Sequence, residues 1–344
     1  MVRIGSVSVC VVRVPLDRVT SFATRTVRAR EYCLVKVRST DGVEGIGFCY
    51  AGTAGGNIAR VAIEELFAPM LLGQESHRVE GLWEEMYRET ILHGRAGTVM
   101  RALSILDIAL WDLNARAVGL PLYRHLGCWT TEKVPAYASG GYYLEGKTSR
   151  NLGEELEGYV RQGFRAVKMK AGRLTPAQEE ERVRAAREAI GPDVLLMLDV
   201  NNAWADLPTA LLYCKRFEKY DIYWVEDPFS PDDIENHARL ASSIGITVAT
   251  GEIEAGRLRF REILEKRAAG ILQTDAAVCG GISEWRRIAQ TAASYDVTLC
   301  PHWLHDLHVH LVASAPNARD VESFPDDTAL NFRKLIPGHQ KHRE

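Results

Sequence analysis

The sequence has no long hydrophobic run and no strong excess of charge. No apolar stretch reaches the roughly 18 residues that a membrane-spanning helix needs. Residues 1–7 contain no long apolar region, so we expect no secretory signal. The formal net charge is −3, which gives no electrostatic reason to expect binding to nucleic acid or to an anionic membrane. These absences predict a cytoplasmic protein whose partner is neither a nucleic acid nor a membrane.

The sequence also lacks any cysteine pattern of a disulfide framework or a zinc site. Its seven cysteines are scattered, odd in number and never spaced as CxxC, which is typical of reduced, mostly buried thiols. With 46% hydrophobic and 25% charged residues, the composition is that of an ordinary globular protein. A length of 344 residues suits two domains, or one large barrel with an appended unit.

Residues 1–126 predict an α+β unit. Runs rich in β-branched residues at 7–14 and 32–39, with a third run at 44–48, indicate three strands. After them the apolar residues recur with the period of a helix, so the unit combines strands with helices. Two loops of polar or small residues, 21–26 and 50–57, are candidate lids over a site.

From residue 133 onward, short strands alternate with helical segments. The predicted strands end at Ser139, Lys170, Asp199, Glu226, Thr250, Gln273, Cys300 and Glu322. A spacing of about 20 to 30 residues matches a βα barrel, which needs about 250 residues for eight units. We therefore expect residues 127–330 to form a barrel whose functional groups collect at the C-terminal ends of the strands.

Three carboxylates fall at consecutive predicted strand ends. Asp199, Glu226 and Glu252 would converge there, and oxygen ligands without histidine or cysteine suit Mg²⁺. Burying each of them without a partner would cost several kcal/mol, and a shared cation relieves that cost. Three separate surface carboxylates are the alternative interpretation.

Two lysines and a histidine are the candidate bases. Lys168 and Lys170 lie two apart on a predicted strand and project to the same face, so each is expected to lower the pKa of the other until one accepts a proton. An exposed edge strand with two solvated lysines is the alternative. Asp275 would hold one nitrogen of His302 and raise the basicity of the other. Lys170 and His302 would then face each other across a bound substrate.

The segment 301–310 also allows a zinc interpretation. It contains four histidines in nine positions, namely His302, His305, His308 and His310. No cysteine or HExxH pattern accompanies them, and a catalytic zinc would leave the three carboxylates unexplained. Magnesium is therefore the favoured metal.

Several short motifs follow one another along the chain. They are Lys168-Met169-Lys170, Asp199-Val200-Asn201, Trp224-Val225-Glu226-Asp227-Pro228, Gly251-Glu252, Thr274-Asp275, Cys279-Gly280-Gly281, Pro301-His302 and Glu322. In order and spacing this set resembles the mandelate racemase subgroup of the enolase superfamily, and residues 104–113 resemble that family's helical signature. The resemblance covers nearly the whole chain. It implies an α/β fold in which an N-terminal α+β capping domain, residues 1–126, covers a (β/α)7β modified TIM barrel.

The resemblance also implies a chemistry. It implies Mg²⁺ held by Asp199, Glu226 and Glu252, and a carboxylate substrate whose α-proton is removed to give an enediolate. A cationic Lys168 and a protonated Glu322 at the substrate's carboxylate oxygens would stabilise the charge where it develops. Lys170, and His302 held by Asp275, are implied as the two bases. The catalytic set is thus Lys168, Lys170, Asp275, His302 and Glu322.

Polar residues around this set suggest the substrate. Asn201 shares a face with Asp199, and the lid loops offer Arg25, Tyr50 and Thr53, so these four are the predicted substrate-binding residues. Family members with this pair of bases either racemise or epimerise 2-hydroxy acids, or dehydrate sugar acids. A polar lid favours dehydration of an aldonate or aldarate to a 2-keto-3-deoxy acid. Here His302, as its imidazolium, would protonate the departing β-hydroxyl.

Other functions stay open at this point. A racemase, an epimerase or a lactone cycloisomerase would use the same residues, and a barrel that binds a metal or an acid without turnover belongs to a different class. The family resemblance further predicts a homo-oligomer. After Glu322 the family's chain usually continues with a long segment that returns to the capping domain. Here residues 331–344 predict a short polar tail, and we expect a weakened capping domain and impaired lid closure.

Overall fold

The structure, a computed structural model, describes residues 2–130, 133–326, 328, 330 and 332–335. They form two sheets. A three-stranded antiparallel sheet belongs to the N-terminal part, and an eight-stranded parallel sheet surrounded by helices follows it. The predicted α/β architecture of a modified barrel with a separate α+β cap is confirmed.

The N-terminal sheet is a long hairpin with a third strand. Its strands, in the order β1-β2-β3, are β1 (Ile4–Ser21), β2 (Thr26–Ser39) and β3 (Glu44–Tyr50). The first two strands are longer than predicted, because backbone pairing continues past the alternating apolar residues as far as Ser21 opposite Thr26. The predicted lid segment 21–26 is therefore the tip of this hairpin.

Five helices belong to the same N-terminal unit as this sheet. They are α1 (Gly56–Val61), α2 (Ala68–Leu71), α3 (Val79–His93), α4 (Thr98–Ala117) and α5 (Leu122–His125), with a π-helical turn at Ala62–Phe67. Helix α4 lies so close to β3 that a Cβ atom at Gly47 would be 1.9 Å from the carbonyl oxygen of Ile105, so this position requires glycine. Although α4 has 20 residues, neither it nor any other helix in the described ranges is long and apolar enough to cross a bilayer.

The second sheet closes into a barrel. Its strands are β4 (Ala136–Gly140), β5 (Ala166–Lys170), β6 (Leu195–Asp199), β7 (Ile222–Glu226), β8 (Thr247–Thr250), β9 (Ile271–Leu272), β10 (Thr298–Leu299) and β11 (Val321–Ser323). Each predicted strand end lies within one residue of the observed one. All neighbouring strands are parallel, β11 pairs with β4, and a bridge from Leu299 to Ala318 joins the remaining edges.

Helices connect the barrel strands. They are α6 (Ser149–Arg161), α7 (Pro176–Ile190), α8 (Leu207–Phe217), α9 (Ile234–Ser243), α10 (Arg257–Glu265), α11 (Ala276–Cys279), α12 (Gly281–Ala293) and α13 (His305–Val312). Helix α7 begins at the predicted capping box, where Thr175 and Gln178 satisfy each other's backbone N–H groups. Because β11 is followed by none of these helices, the repeat is (β/α)7β.

The predicted tail, residues 331–344, lies outside the described residues except for a 3₁₀ turn at Phe332–Leu335. This turn contacts the capping domain. Lys334 forms an ion pair with Asp17 of β1 at 2.7 Å, and Leu335 packs against the apolar core shared by the cap. Leu330, just before the turn, is buried. The described turn therefore lies against the capping domain, while the expected weakening of this domain stays a prediction.

A buried carboxyl joins the capping domain to the barrel. Asp107 of α4 accepts hydrogen bonds from the backbone N–H and the hydroxyl of Ser283 on α12, at 2.9 and 2.7 Å. Burial raises the pKa of Asp107 to about 7, although the two bonds from Ser283 act in the opposite direction. Glu80 and Arg287 are the other charged groups that act on this carboxyl.

We expect the free energy of unfolding to depend on this carboxyl's proton. Because its pKa is raised in the folded state, the folded chain keeps a proton that the unfolded chain releases, so the contribution is lost as pH rises from about 4 to about 7. Urea unfolding at pH 5 and pH 8 should therefore show a larger loss of stability for the wild type than for Asp107→Asn. Equal losses in both chains would contradict the assignment.

Candidate functional site

The three predicted carboxylates meet at one rim of the barrel. Asp199 and Glu226 are the last residues of β6 and β7, and Glu252 follows β8. After these strands the backbone turns through left-handed residues, with φ of 49° at Asn201 and 44° at Asp227. Such a conformation is costly for a residue other than glycine and is found where a functional site holds it in place.

These carboxylates fit a divalent metal ion. Their ligand atoms all lie within 4.8 Å of one another, and in the described part of the chain no other group of three such residues comes together. Burial, and then the charge of Asp199, raises the pKa of Glu226 well above its usual value. Oxygen Oε2 of Glu252 is buried without a hydrogen-bond partner among the described residues. Carboxylates crowded in this way are the hard ligands that Mg²⁺ prefers.

Lys168 lies beneath this group and is fully paired. Its ammonium donates to both oxygens of Glu226, at 2.7 and 2.8 Å, and contacts Glu322 at 2.9 Å. Burial by itself lowers the pKa of Lys168, but the charges of Glu226 and Glu322 outweigh it and raise the pKa well above its usual value. Lys168 does lower the pKa of Lys170, as predicted, but the expected net lowering is wrong, because carboxylates on other strands lie close to both lysines and raise the pKa of each.

Lys170 lies on the Asp199 side of the site. Its ammonium forms an ion pair with Asp199 and lies 5.4 Å from the ring centre of Tyr142 and 5.7 Å from that of Phe22. Burial lowers its pKa, but Asp199 outweighs this effect and raises it. The lysine is thus held between the barrel rim and the tip of the β1–β2 hairpin.

His302 lies on the opposite, Glu252 side. Its Nδ1 is 3.1 Å from Oδ2 of Asp275, as predicted, and its Nε2 is 3.4 Å from Oε2 of Glu252. Burial lowers the pKa of His302, but Glu252 and the bond to Asp275 outweigh it and raise the pKa to about 9. Lys170 and His302 therefore flank the three carboxylates from two sides.

Glu322 differs from its prediction. Burial raises its pKa, but the charges of Lys168 and His302 lower it to about 2, so the side chain is ionised rather than protonated. It accepts a hydrogen bond from the backbone N–H of Trp303 at 2.8 Å. In this state it accepts from Lys168 and from this N–H, and the predicted donor role, which requires a protonated Glu322, stays a prediction.

The histidine-rich segment does not form a zinc site within the described residues. Nε2 of His308 accepts a hydrogen bond from the N–H of Ala276 at 3.1 Å, and its Nδ1 donates to the carbonyl of Trp303 at 2.8 Å. Burial lowers its pKa, consistent with a neutral ring that holds two loops of the site together. His310 instead stacks on Tyr123. The zinc interpretation is wrong within the described residues, because His302, His308 and His310 each have a different partner and no three of these rings come together.

The rim opens into a cavity of about 220 Å³ between the barrel and the capping domain. Three of the four predicted substrate-binding residues line it: Asn201, Arg25 and Tyr50. Thr53 is exposed and is not part of the lining. The loop of residues 50–57 therefore reaches the cavity through Tyr50, which precedes the turn.

Among the lining residues that sequence reasoning missed are Arg30, Arg101, Tyr142 and Trp303. Arg30 lies on β2, and the predicted strand began two residues later, so its inward side chain was overlooked. Arg101 was a recognisable signal, since it is a charged residue near the start of a helix whose following residues are mostly apolar. No pattern distinguished Tyr142 and Trp303, which lie in loops after strands.

Arg182 of α7 supports the strand end that carries Lys170. Its guanidinium donates to the carbonyls of Lys170 and Gly141, each at 2.9 Å, and to Glu179 at 2.9 Å. It also lies 4.0 Å from the ring centre of Tyr143. Because it is buried and bonds the backbone of Lys170, we assign it as a positioning residue for that lysine.

Replacing Arg182 should therefore impair turnover. We expect Arg182→Met to lower kcat about 10- to 100-fold with little change in KM, as small misplacements of a reacting group do. Arg184→Met is the matched control, because Arg184 lies on the same helix, is exposed and pairs with Glu188. Equal kcat values for two folded variants would rule out the positioning role.

The chain was compared with known proteins. The sequence profile of the mandelate racemase / muconate lactonizing enzyme N-terminal domain matches residues 6–127, and that of the enolase C-terminal domain-like family matches residues 151–343. The arabinonate dehydratase of Saccharolobus solfataricus is 34% identical over 293 residues, which are 83% of this chain and 78% of that protein.

Solved structures of similar proteins indicate the same family. The 3,6-anhydro-D-galactonate cycloisomerase of Zobellia galactanivorans is 33% identical with a TM-score of 0.84, over 94% of this chain and 87% of that one. An L-talarate dehydratase from Polaromonas sp., crystallised with Mg and L-glucarate, is 31% identical with a TM-score of 0.87 over the same shares. Magnesium in that relative, together with the acidic group described above, confirms the predicted cofactor. The chain belongs to the mandelate racemase and muconate lactonizing enzyme family of the enolase superfamily.

Proposed function

We propose that this protein dehydrates an acid sugar, an aldonate or an aldarate, to a 2-keto-3-deoxy acid. One observation carries the proposal: Lys170 and His302 flank the three-carboxylate group from two sides within a single cavity. Two proton-transfer groups so placed reach opposite faces of one bound substrate. Dehydratases among the relatives support the same class of reaction.

The first step is removal of the α-proton. Lys170, with its amine deprotonated, takes the proton from the carbon beside the substrate carboxylate, and the electron pair moves onto the carboxylate oxygens as an enediolate. The ammonium of Lys168, buried at the rim, adds fixed positive charge near those oxygens. Asp199, Glu226 and Glu252 would hold the divalent ion, which would supply positive charge to stabilise the oxyanion and to offset the effect of Asp199 on Lys170.

The second step is loss of the β-hydroxyl. The electron pair of the enediolate forms the carbon–carbon double bond, the C–O bond breaks, and His302 gives its proton to the departing oxygen, so that water leaves. Asp275, 3.1 Å from Nδ1, holds the ring so that Nε2 faces the cavity. The resulting enol tautomerises to the 2-keto-3-deoxy acid.

A cycloisomerase is the second candidate. The relative from Zobellia galactanivorans is a cycloisomerase with a similar fold, so the same proton transfers can serve ring opening of an anhydro sugar acid or a lactone. A racemase or epimerase would return the proton to the opposite face. A metal-binding barrel without turnover is the remaining alternative, from outside the enzymes.

A substrate panel distinguishes these functions. The protein is incubated with Mg²⁺ and each of a set of aldonates, aldarates and sugar lactones in D₂O, and products are followed by a 2-keto acid assay and by proton NMR. We expect a 2-keto acid from at least one open-chain acid. Solvent deuterium with an inverted centre indicates an epimerase, ring opening indicates a cycloisomerase, and no exchange with any compound contradicts catalysis.

A further inference from the structure

We propose that His308 is a positioning residue for the pair of His302 and Asp275, and that it serves in a single neutral tautomer. This inference rests on the proposed function, because it concerns the side chain that gives the second proton there. His308 lies on α13, is fully buried and is not part of the cavity lining. It can therefore act on the reaction only through the residues that it holds.

The contacts of His308 fix its tautomer. Nε2 lies 3.1 Å from the backbone nitrogen of Ala276, whose N–H can only donate, so Nε2 carries no proton. The remaining ring proton is then on Nδ1, which donates to the carbonyl oxygen of Trp303 at 2.8 Å. Burial lowers the pKa of His308, which keeps the ring in this neutral form. One imidazole thus joins the residue after Asp275 to the residue after His302.

The same tautomer leaves Asp275 to His302. Nε2 of His308 lies 3.7 Å from Oδ1 of Asp275, but without a proton it cannot donate to this oxygen. Oδ1 instead accepts the N–H of Ala277 at 2.8 Å, and Oδ2 faces Nδ1 of His302 at 3.1 Å. A ring protonated at Nε2 would compete for the carboxylate and would lose its bond from Ala276. The Nδ1–H tautomer therefore keeps the carboxylate oriented towards His302.

The loop directly after His302 needs to be held in place. Trp303 and Leu304 have φ of 49° and 32°, a left-handed conformation that is costly for residues other than glycine. Trp303 is held on both sides, because its N–H donates to Glu322 at 2.8 Å and its carbonyl accepts the Nδ1–H of His308. Since His302 immediately precedes these two residues, a shift of this loop moves the imidazole of His302.

Lys170, the other proton-transfer group, is held by separate contacts. Its backbone carbonyl accepts a hydrogen bond from Arg182, and its ammonium pairs with Asp199. Within the described ranges, the ring of His308 bonds to none of these three residues. A change at His308 should therefore affect the His302 side of the reaction and leave the Lys170 side intact.

His308→Phe should slow the second step selectively. We expect kcat for 2-keto acid formation to fall about 10- to 100-fold with little change in KM, as small misplacements of a reacting group do. Exchange of the α-proton with D₂O should continue, because Lys170 still forms the enediolate. His310→Phe is the matched control, since His310 lies on the same helix and stacks on Tyr123. An unchanged kcat in His308→Phe, or loss of both signals in the folded variant, would overturn the inference.

Two smaller changes separate the two bonds of the ring. The amide N–H of an asparagine can donate to Trp303 in place of Nδ1–H, and the amide oxygen of a glutamine can accept from Ala276 in place of Nε2. His308→Asn and His308→Gln should each form more 2-keto acid than His308→Phe, because each keeps one of the two bonds. Thermal melting shows which variants are folded. Equal losses of kcat in all three folded variants would contradict the role of these bonds.

Crystal structures separate this inference from the proposed function, because they need no turnover. In Mg²⁺-loaded His308→Phe we expect the ring of His302 to move by about 1 Å relative to Asp275, and in His310→Phe we expect it to stay in place. If the wild type turns over no acid, the proposed dehydration fails, yet this displacement still supports the positioning role. If dehydration occurs and the ring does not move, dehydration stands and the inference fails.

Discussion

Lys170→Met should abolish turnover of every acid sugar that the wild type accepts, with kcat lower by at least about 10³-fold, the upper part of the range for a lost acid–base group. The loss is expected because no other lysine can take the position of Lys170. The Lys170 ammonium is buried beside Asp199 at the strand end, and no exposed lysine can replace it there. Lys36→Met, on an exposed part of β2, is the control and should keep full activity.

His302→Asn should separate the two steps. When Lys170 is the base that faces the α-proton, the variant is expected to exchange that proton with D₂O at a measurable rate while forming no 2-keto acid. Lys170→Met should then lose both signals. Proton NMR follows the exchange, and the keto acid assay follows the product. Retention of dehydration by His302→Asn would remove this histidine from the mechanism.

Removal of the metal should reduce turnover about as strongly as Lys170→Met does. We expect a chelator to reduce kcat/KM by about 10³-fold or more and added Mg²⁺ to restore it, because the cation supplies several kcal/mol of charge stabilisation. Binding should also raise the melting temperature, since a ligand of the folded state adds about 2.7 kcal/mol at 100 times its dissociation constant. We expect this gain in stability because Asp199, Glu226 and Glu252 lie close together and repel one another until a cation binds between them.

Glu252→Gln tests the ligand set directly. The variant should fold but lose the rise in melting temperature on addition of Mg²⁺, as well as the activity. Glu254→Gln is the matched control, because Glu254 lies two residues further along the same segment and pairs with Arg259 instead. If Mg²⁺ raises the melting temperature of Glu252→Gln as much as that of the wild type, Glu252 is not a ligand. If neither variant responds to Mg²⁺, the substitutions have disturbed the local structure of this segment.

Much of the fold was predictable because a barrel repeats. Each strand of β5 to β8 is a short apolar run that ends in a lysine, a carboxylate or a threonine, and each is followed by a helical segment. Errors arose where polar residues continue a strand, as at the β1–β2 hairpin, because backbone pairing does not require an apolar side chain there. The family, the architecture and the cofactor are confirmed, while the catalytic roles and self-association stay predictions.

The ionisation states of the site residues were harder to predict from the sequence than the fold. The neutral lysine was inferred from its neighbour along the chain, and the protonated Glu322 came with the family resemblance. The ionisation of each depends on groups far away in sequence. Lys168 and Glu322 are 2.9 Å apart although 154 residues separate them. Arg30 was not predicted as a cavity residue for a similar reason. Its two aromatic neighbours are distant in sequence and come from β3 and from the loop after β10.

Residue order alone was sufficient for the repeat, the strand ends and the identity of the acidic and basic groups, because period and spacing are local properties. It was not sufficient for which charges pair, which side chains take up or release protons, or which arginines face the cavity. Those properties follow from electrostatic energies that change steeply over a few ångströms. Packing of the capping domain on the barrel sets those distances.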